Sequence, residues 1–356
     1  MEKGTKLMKG NEALAEAAIQ AGCDAYFGYP ITPQSEVLEY LAREMPKYNR
    51  VVMQAESEVA SINMVYGAAG AGFRVMTTSS SPGISLMQEG ISYMAGAELP
   101  ALLVNVNRAG PGLGTIQPGQ GDYFQSTKGG GHGDYRLIVL APSSVQEMAD
   151  FTFLGFDLAD KYRNPVLILS DGAIGQMMEK VNFGHHEVKK MAKPWATTGK
   201  PKTRQRNYIT SLHIKPEAME QHNLKLEEKF KAMRENEVRF EEINTADADY
   251  IFVAYGLSAR ICQKAMDICR SKGLKVGIFR PITLFPYPYT ALNKLAEKTR
   301  MILCVELNSG QMLEDVRLAV NGKIPVEFYG RMGGIMPTPE EIVHHFEMQI
   351  EKNHAN

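Results

Sequence analysis

Short apolar segments alternate with helical patterns over residues 9–170, and this alternation constrains the fold more than any other feature of the chain. The apolar segments predict strands at 24–29, 50–53, 73–77, 100–105, 136–141 and 165–169. Strands that alternate with helices form parallel sheets with helices on both faces. The strands are apolar throughout, as expected where both faces of a sheet are covered. We therefore predict an α/β fold.

A second, smaller alternating unit begins near residue 249. The length of 356 residues is suited to two domains. A polar stretch and an amphipathic helix separate the two units, and Leu226, Phe230 and Met233 form the apolar face of that helix. We predict domains at 1–180 and 248–356, joined by a linker and helix at 181–247.

The linker is rich in basic residues. This composition would fit either a nucleic-acid-binding patch or a solvated connector. The formal net charge is only -1, so there is no general attraction to nucleic acid or anionic lipid. We therefore interpret the linker as a connector that lies across a neighbour. Its basic residues are Lys189, Lys190, Lys193, Lys200, Lys202, Arg204 and Arg206.

No run of residues approaches the ~20 apolar positions that a membrane span needs. The N-terminal segment has no apolar stretch of signal-peptide length. None of the four cysteines forms a CxxC pair, so we predict buried, reduced thiols and no metal or cluster ligation by this chain alone. These features predict a cytoplasmic protein without a membrane or nucleic-acid partner.

Three predicted strands are followed by polar residues with a potential chemical role. Thr32 lies in the GYPITP turn, Glu58 follows QAES, and Arg108 follows the strand at 100–106. Each has a structural alternative: Thr32 with Pro33 resembles a helix cap, Glu58 would complement a helix dipole, and Arg108 would form a surface ion pair. Parallel strands end at one edge, so the three side chains should converge there.

Two further segments have no assigned structure from pattern alone. Residues 109–135 are dense in glycine, and a loop of this length usually lines an active site or an interface, the alternative being a flexible surface insertion. The GLSAR segment, 256–260, opens a helix after a strand. It would either bind an anion, such as a coenzyme A phosphate, or form an ordinary capped turn.

Several motifs together resemble the alpha subunit of 2-oxoacid:ferredoxin oxidoreductases, over nearly the whole chain. They are GYPITP, QAESEVASINMVYGAAGAG, TTSSSPGISLMQEG, NRAGPGLG, GGGHGD, FRPITLFPYP and VELNSGQ. The resemblance implies a pyrimidine-binding fold of thiamine diphosphate enzymes, followed by a domain like the C-terminal domain of transketolase. Within the family the chain is most similar to the branched-chain, 2-oxoisovalerate type.

The resemblance also implies roles for individual residues. Glu58 matches the glutamate whose carboxylate contacts N1′ of the aminopyrimidine ring and activates the cofactor, which Pro30 and Ile31 would also contact. Thr32 and Arg108 match substrate-binding positions. His132 lies in the family's glycine-histidine-glycine segment. The resemblance is compatible with two roles for it, a polar group of the active site or a structural residue.

Other parts of the expected reaction are missing from this sequence. The nearest match to a GDG diphosphate segment is Ser170-Asp171-Gly172, without the asparagines that should follow it. The resemblance therefore implies that a beta subunit binds the diphosphate and Mg²⁺, and that [4Fe-4S] clusters lie on partner subunits. Gamma and ferredoxin-like delta subunits, coenzyme A as acyl acceptor and ferredoxin as electron acceptor complete the expected system.

The function implied is oxidative decarboxylation of 2-oxoisovalerate to an acyl-CoA and CO2, with electrons passed to ferredoxin. A 2-oxoglutarate:ferredoxin oxidoreductase subunit is the nearest alternative. A non-redox decarboxylase or acyltransferase subunit with the same cofactor, and a scaffold protein without chemistry, are further alternatives. The presence of Glu58 argues against the scaffold.

Overall fold

The computed structural model describes residues 5–184, 186–188 and 191–355. The strands are β1 (Thr5–Lys9), β2 (Ala25–Gly28), β3 (Val51–Gln54), β4 (Val75–Ser79), β5 (Ala101–Asn107), β6 (Ile138–Leu140), β7 (Pro165–Asp171), β8 (Met178–Asn182), β9 (Phe240–Ile243), β10 (Tyr250–Val253), β11 (Val276–Pro281), β12 (Thr283–Phe285), β13 (Met301–Glu306) and β14 (Val326–Gly330).

The helices pack on both faces of the sheets that these strands form. They are α1 (Gly10–Gln20), α2 (Ser35–Glu44), α3 (Glu58–Gly70), α4 (Ser81–Gly96), α5 (Tyr123–Thr127), α6 (Val145–Tyr162), α7 (Gly172–Gln176), α8 (Pro216–Asn236), α9 (Gly256–Ser271), α10 (Tyr289–Ala296), α11 (Gln311–Val320) and α12 (Pro339–Ala355), with a short 3-10 helix at Met45–Tyr48.

The first sheet has seven strands in the order β12-β6-β7-β5-β4-β2-β3. All pair in parallel except β12, which is antiparallel to β6. The central strands β4, β5 and β7 are buried at every position because helices cover both faces. The predicted α/β class is confirmed, and the carboxyl ends of β2, β3, β4, β5 and β7 lie along one edge.

The second sheet has five strands in the order β14-β13-β10-β11-β9. Four are parallel, and β9 pairs antiparallel with β11 at the edge. The sequence analysis did not find β9, since FEEI is short and three of its four residues are exposed. Because β9 precedes residue 248, the predicted domain boundaries remain a proposal.

Two regions depart from a simple division of the chain. Strand β12 comes from the second unit yet joins the first sheet through Thr283 and Phe285, a three-residue strand with too little pattern to predict. Strands β1 and β8 form a separate antiparallel pair. The two units are therefore joined by a shared sheet as well as by side-chain contacts.

A helix and an extended connector lie between the two units. Leu226, Phe230 and Met233 are buried on one face of α8, which ends at Asn236, and strand β9 follows it. Thr197 donates its backbone N–H to Gly70 at the end of α3, so the connector lies across the first unit. Among its basic residues, Lys189 and Lys190 lie outside the described residues.

No helix within the described ranges is long and apolar enough to cross a membrane. The four cysteines, all of them in those ranges, are buried and unpaired by disulfides, as predicted. No cluster of three or more metal-ligating side chains occurs in the part of the chain that the structure describes.

Candidate active site

Arg108 and Thr32 meet at the carboxyl edge of the first sheet. Arg108 follows β5 and Thr32 follows β2, and the guanidinium Nη1 donates to the Thr32 carbonyl oxygen at 3.0 Å. Its Nη2 donates to the Leu113 carbonyl oxygen at 3.0 Å, and the Arg108 backbone N–H donates to Ser81 Oγ at 3.1 Å. The arginine is therefore buried and held from three sides, and it is not a surface ion pair.

Glu58 opens α3 on the same edge. Ser57 caps the helix by accepting a hydrogen bond from the Ala60 N–H at 3.2 Å, so the cap does not occupy Glu58. The Glu58 side chain is only 6% exposed, yet within the described ranges no side chain or backbone group donates to its carboxylate. Neither carboxylate oxygen is among the fully buried polar atoms that lack a partner, so the carboxylate reaches the surface of this edge and is free to bind a group from outside this chain.

Gly83, in the first turn of α4, makes room for that carboxylate. A Cβ at Gly83 would lie 2.5 Å from Glu58 Oε1 and closer still to Ser79 Oγ, so any larger side chain would displace the acid. The sequence analysis missed this role. The signal was present in the run of serines that precedes a helix with glycine at its third position, SSSPG.

Unpaired polar atoms are concentrated along the carboxyl ends of β4, β5 and β7. Such atoms are normally hydrogen-bonded when buried, and a polar ligand at this edge would satisfy them. We infer that the residues present fit a bound polar cofactor or substrate. Among the described residues, the buried atoms without a partner at this edge are Ser79 Oγ, Ser80 Oγ, both polar atoms of Asn107, Arg108 Nε and Ser170 Oγ.

The helix-cap interpretation of Thr32 is wrong. Helix α2 begins at Ser35, with Gln34 at the cap position, so Pro33 is not its first residue. Gln34 is buried and donates to the Tyr29 carbonyl oxygen at 3.3 Å, which holds the turn closed. Thr32 is exposed in this turn, Pro30 is exposed, and Ile31 is half-buried. The three residues are therefore available to a ligand at the edge.

The glycine-rich segment folds back over the same edge. Arg108 and Pro118 form an isolated antiparallel bridge, and the Thr115 N–H donates to the Ala109 carbonyl oxygen at 2.9 Å. Beyond it, Gln120 contacts the second unit and Tyr123 opens α5. The segment thus lines the edge and forms an interface, and the flexible-insertion alternative does not hold for it.

His132 is exposed and lies apart from the other predicted residues. Its segment packs along the middle of α4, where a Cβ at Gly131 would touch the Gln88 carbonyl oxygen and Ser92. The chain must return here from the carboxyl edge to the amino edge before β6 begins. Within the described residues no contact links His132 to Thr32 or Arg108, and its role remains a prediction.

Asp171 of the Ser-Asp-Gly segment is a helix cap. Its Oδ1 accepts the N–H groups of Ala173 at 2.9 Å and Ile174 at 3.1 Å, at the start of α7. It also accepts the Leu257 backbone N–H, across the contact between the two units. Burial raises the pKa of the Asp171 carboxyl to about 6. These contacts give the Asp171 carboxylate a structural role that does not involve a bound diphosphate.

Residues of the first unit form hydrogen bonds with the GLSAR segment at the start of α9. Gln120 Nε2 donates to the Tyr255 carbonyl oxygen at 2.9 Å, and Ser258 Oγ donates to Gln120 Oε1 at 2.8 Å. Arg260 bonds the Ser143 carbonyl oxygen at 3.3 Å. Within the described residues, the residue at the cap position, Tyr255, makes no side-chain cap bond, and the Leu257 N–H is bonded to Asp171. Whether this segment also binds an anion stays a prediction.

Glu306 at the end of β13 is a second buried carboxylate that the sequence analysis did not single out. Its oxygens accept the backbone N–H groups of Met312 at 2.8 Å and Leu313 at 2.9 Å, and the Asn308 amide at 2.9 Å. Burial raises its pKa, and these donors oppose that effect. Its acceptor sites are filled from within the chain, which marks Glu306 as structural.

The geometry defines an open α/β protein whose ligand site lies at a strand-end edge. A family model described as "Pyruvate flavodoxin/ferredoxin oxidoreductase, thiamine diP-bdg" matches residues 16–245, and "Pyruvate:ferredoxin oxidoreductase core domain II" matches 248–342. The chain belongs to the 2-oxoacid:ferredoxin oxidoreductase family, as the sequence motifs predicted.

Named relatives cover almost the whole chain. The ketoisovalerate oxidoreductase subunit VorB of Methanothermobacter marburgensis is 54% identical over 331 residues, which are 93% of this chain and 94% of the relative. The 2-oxoglutarate synthase subunit KorA of Methanocaldococcus jannaschii is 37% identical, over 95% of this chain and 98% of its own length.

A solved structure also matches along the chain. The 2-oxoglutarate:ferredoxin oxidoreductase from Magnetococcus marinus, with 2-oxoglutarate, coenzyme A and succinyl-CoA bound, has a TM-score of 0.86 at 30% identity and covers 98% of this chain and 66% of that one. A split-gene transketolase matches with a TM-score of 0.56 at 12% identity, which shows a shared fold only. The predicted fold is thereby confirmed.

Proposed function

We propose that this chain is the alpha-type subunit of an enzyme that oxidatively decarboxylates a branched-chain 2-oxoacid, 2-oxoisovalerate, to an acyl-CoA and CO2 and passes the electrons to ferredoxin. The observation that carries the proposal is Glu58, a largely buried residue whose carboxylate accepts no hydrogen bond within the described ranges, in a chain 54% identical to a ketoisovalerate oxidoreductase subunit. Since that relative is named as a subunit, the activity is expected only in a complex.

Thiamine diphosphate, when bound, supplies the reactive carbon that attacks the 2-oxoacid and holds the electrons left after CO2 departs. The residues of this chain bind and orient. Glu58 would hold a proton at a ring nitrogen of the pyrimidine, and the space above Gly83 lets its carboxylate reach that atom. Pro30 and Ile31 would contact the ring from the turn after β2.

Arg108 would bind the carboxylate that all 2-oxoacids share. Two of its N–H groups already hold the Thr32 and Leu113 carbonyl oxygens, and this fixes the guanidinium plane before substrate arrives. A fixed, planar guanidinium suits bidentate binding of a carboxylate. The exposed Thr32 hydroxyl would contact the keto oxygen, and His132 would act only through a movement of its segment.

Partner subunits would supply what this chain lacks. We propose that a beta subunit holds the diphosphate and Mg²⁺, because Asp171 is used as a helix cap and the described residues contain no metal cluster. The [4Fe-4S] clusters would lie on beta or ferredoxin-like delta subunits, with a gamma subunit completing the complex. Coenzyme A would enter as the acyl acceptor.

The 2-oxoglutarate alternative has its own support, from the KorA relative and from the solved 2-oxoglutarate enzyme. Identity favours the branched-chain substrate, at 54% against 37% and 30%. Arg108 cannot separate the two, since it would meet the carboxylate common to both substrates.

The test is coenzyme-A-dependent reduction of a viologen dye by this chain co-expressed with its partner subunits, under anoxic conditions. We expect faster turnover with 2-oxoisovalerate than with 2-oxoglutarate. A preference for 2-oxoglutarate would keep the reaction and overturn the substrate. Aldehyde formation without dye reduction, from an intact and cofactor-loaded complex, would support a non-redox decarboxylase instead.

A further inference from the structure

Asn107 is the last residue of β5, directly before Arg108, and its side chain has no partner. It is 1% exposed, and both its amide nitrogen and its amide oxygen are buried without a hydrogen bond. Within the described ranges it is the one side chain with two buried polar atoms that both lack a partner. Such a group destabilises a folded chain, so its retention indicates a functional use.

Asn105, two residues earlier on the same strand, provides a direct contrast. Its Oδ1 accepts the Ser81 backbone N–H at 3.0 Å and its Nδ2 donates to Asp122 Oδ2 at 2.8 Å. Because side chains alternate along a strand, Asn105 and Asn107 point to the same face, which carries α4. The same residue type on the same face is therefore fully paired at one position and fully unpaired at the next.

The position of Asn107 is close to the groups that define the site. The Ser81 hydroxyl that receives the Arg108 backbone N–H belongs to the first turn of α4. Gly83, over which the Glu58 carboxylate lies, is in that same turn. Asn107 directly precedes Arg108 and pairs with Asp171 at the end of β7, so it belongs to the same carboxyl edge as the arginine expected to meet the substrate.

We propose that Asn107 is a further binding residue of this site, whose amide contacts both substrate and cofactor. A 2-oxoacid offers only hydrogen-bond acceptors, so it can receive the Nδ2–H but cannot satisfy Oδ1. An aminopyrimidine carries an amino group, which can donate to Oδ1. A 2-oxoacid and an aminopyrimidine bound together would therefore supply hydrogen-bond partners for both polar atoms of the Asn107 amide. This assignment rests on the proposed function, since it takes its ligands from that function.

The test uses Asn107→Leu, which keeps the approximate size and removes both polar atoms, with Asn105→Leu as the matched control. The first readout is the thermal unfolding midpoint of the isolated full-length chain. We expect Asn107→Leu to leave Tm unchanged or to raise it by a few degrees, because no bond in the chain is lost. Asn105→Leu should lower Tm by several degrees, because it leaves Ser81 N–H and Asp122 unpaired.

The second readout is kcat/KM in the assembled complex, where Asn107→Leu should cost about a hundredfold. A lowered Tm with full kcat/KM would mean a structural amide held by water and would overturn the proposal. If Asn107→Leu does not fold, Asn107→Asp serves instead. It should raise the KM for the 2-oxoacid through charge repulsion, and an unchanged KM would equally overturn the proposal.

Turnover by the wild-type complex distinguishes a failure of the proposed function from a failure of the proposal for Asn107. A wild-type complex that turns over neither 2-oxoacid contradicts the proposed function, whatever the variants do. In that case the proposal for Asn107 is tested only by comparing the Tm of Asn107→Leu with that of the wild-type chain. A more stable Asn107→Leu chain supports a ligand-binding amide, and a less stable one overturns it.

Discussion

The carboxyl edges of the two sheets differ in how their polar groups are satisfied. At the first sheet, the Asn107 amide and the Ser80 hydroxyl are buried without a partner in the described chain, and the Glu58 carboxylate accepts no hydrogen bond there. At the second sheet, Glu306 accepts three N–H donors at 2.8–2.9 Å, and Ser258 is bonded to Gln120. Both edges present buried acids beside helix starts, so composition alone cannot tell them apart.

The difference teaches where to look for function in a fold with two similar edges. A polar group whose bonds are all made within the chain contributes to stability, whereas a buried group without bonds costs stability and is kept for a ligand. The second edge is turned into an interface by Gln120, which reaches it from the first unit. Substitutions at the first edge should therefore affect activity, and those at the second edge stability.

Glu58→Gln should have the largest effect on activity. The amide cannot hold a proton at the pyrimidine nitrogen, so we expect turnover in the complex to fall by about a thousandfold. The Tm should change little, because the carboxylate accepts no bond in the described part of the chain. Dye reduction by the complex measures turnover, and thermal unfolding of the isolated chain measures Tm. Full turnover by this variant would remove Glu58 from the mechanism.

Gly83→Ala should reduce activity without removing any functional group. The added Cβ would occupy the space of the Glu58 carboxylate, and a displacement of about 1 Å can cost about a hundredfold in rate. Gly67→Ala is the control, since a Cβ at that α3 position meets nothing within 4 Å. Equal activities of the two variants would show that Glu58 does not need its present position.

The fold was largely readable from the sequence because the strands of both units are apolar and regularly spaced. Thr338-Pro339-Glu340-Glu341 also has the sequence pattern of a capping box, and in the structure Thr338 accepts from the Glu341 N–H at 3.2 Å while Glu341 accepts from the Thr338 N–H at 2.8 Å. Strands β1, β8, β9 and β12 were missed, and β1 and β8 form a separate pair of five residues each. The other two, β9 and β12, are shorter still. They have four and three residues, and tertiary pairing rather than local pattern forms them.

The site was readable only in part. Thr32 and Arg108 were expected to converge because parallel strands end at one edge, and the 3.0 Å bond between them agrees with that expectation. Gly83 and Asn107 were not found, because their importance depends on their surroundings in the folded chain. The Glu58 carboxylate lies beside Gly83, and the side chain of Asn107 has no hydrogen-bond partner among the described residues. Pairing of polar atoms is a property of the folded chain and leaves no pattern in the sequence.

Glu306→Gln should show the opposite behaviour to Glu58→Gln. The amide would lose charge-assisted bonds from the Met312 and Leu313 N–H groups, and two such bonds contribute about 4 kcal/mol together. We expect the free energy of unfolding to fall by about that amount. Chemical denaturation of the isolated chain measures it. A variant as stable as wild type would contradict the structural role of this edge.

Asp171 gives the contact between the units a pH dependence. Its pKa is about 6 in the folded chain and near 3.8 in the unfolded one, so folding favours the protonated acid. The stability it contributes is present below the unfolded value and is lost as pH rises through about 6, by about 3 kcal/mol in all. Asp171→Asn keeps a cap and removes the titration.

Denaturation curves from about pH 4 to about pH 7 test this, since wild type should lose stability relative to Asp171→Asn across that range. A constant difference between the two proteins would show that the carboxyl does not titrate there. Ionisation of Asp171 would then not weaken the contact between the two units.

The smallest predicted effect is the most direct measure of the contrast between the edges, since it compares two fully buried serines. Ser258→Ala removes the bond to Gln120 Oε1 and should cost about 1 kcal/mol. Ser80→Ala removes a hydroxyl without a partner and should be neutral or slightly stabilising, while activity falls if that hydroxyl meets the ligand. Equal losses of stability would mean that water satisfies Ser80, and an unpaired atom at this edge would then no longer distinguish a ligand site from an ordinary hydrated surface.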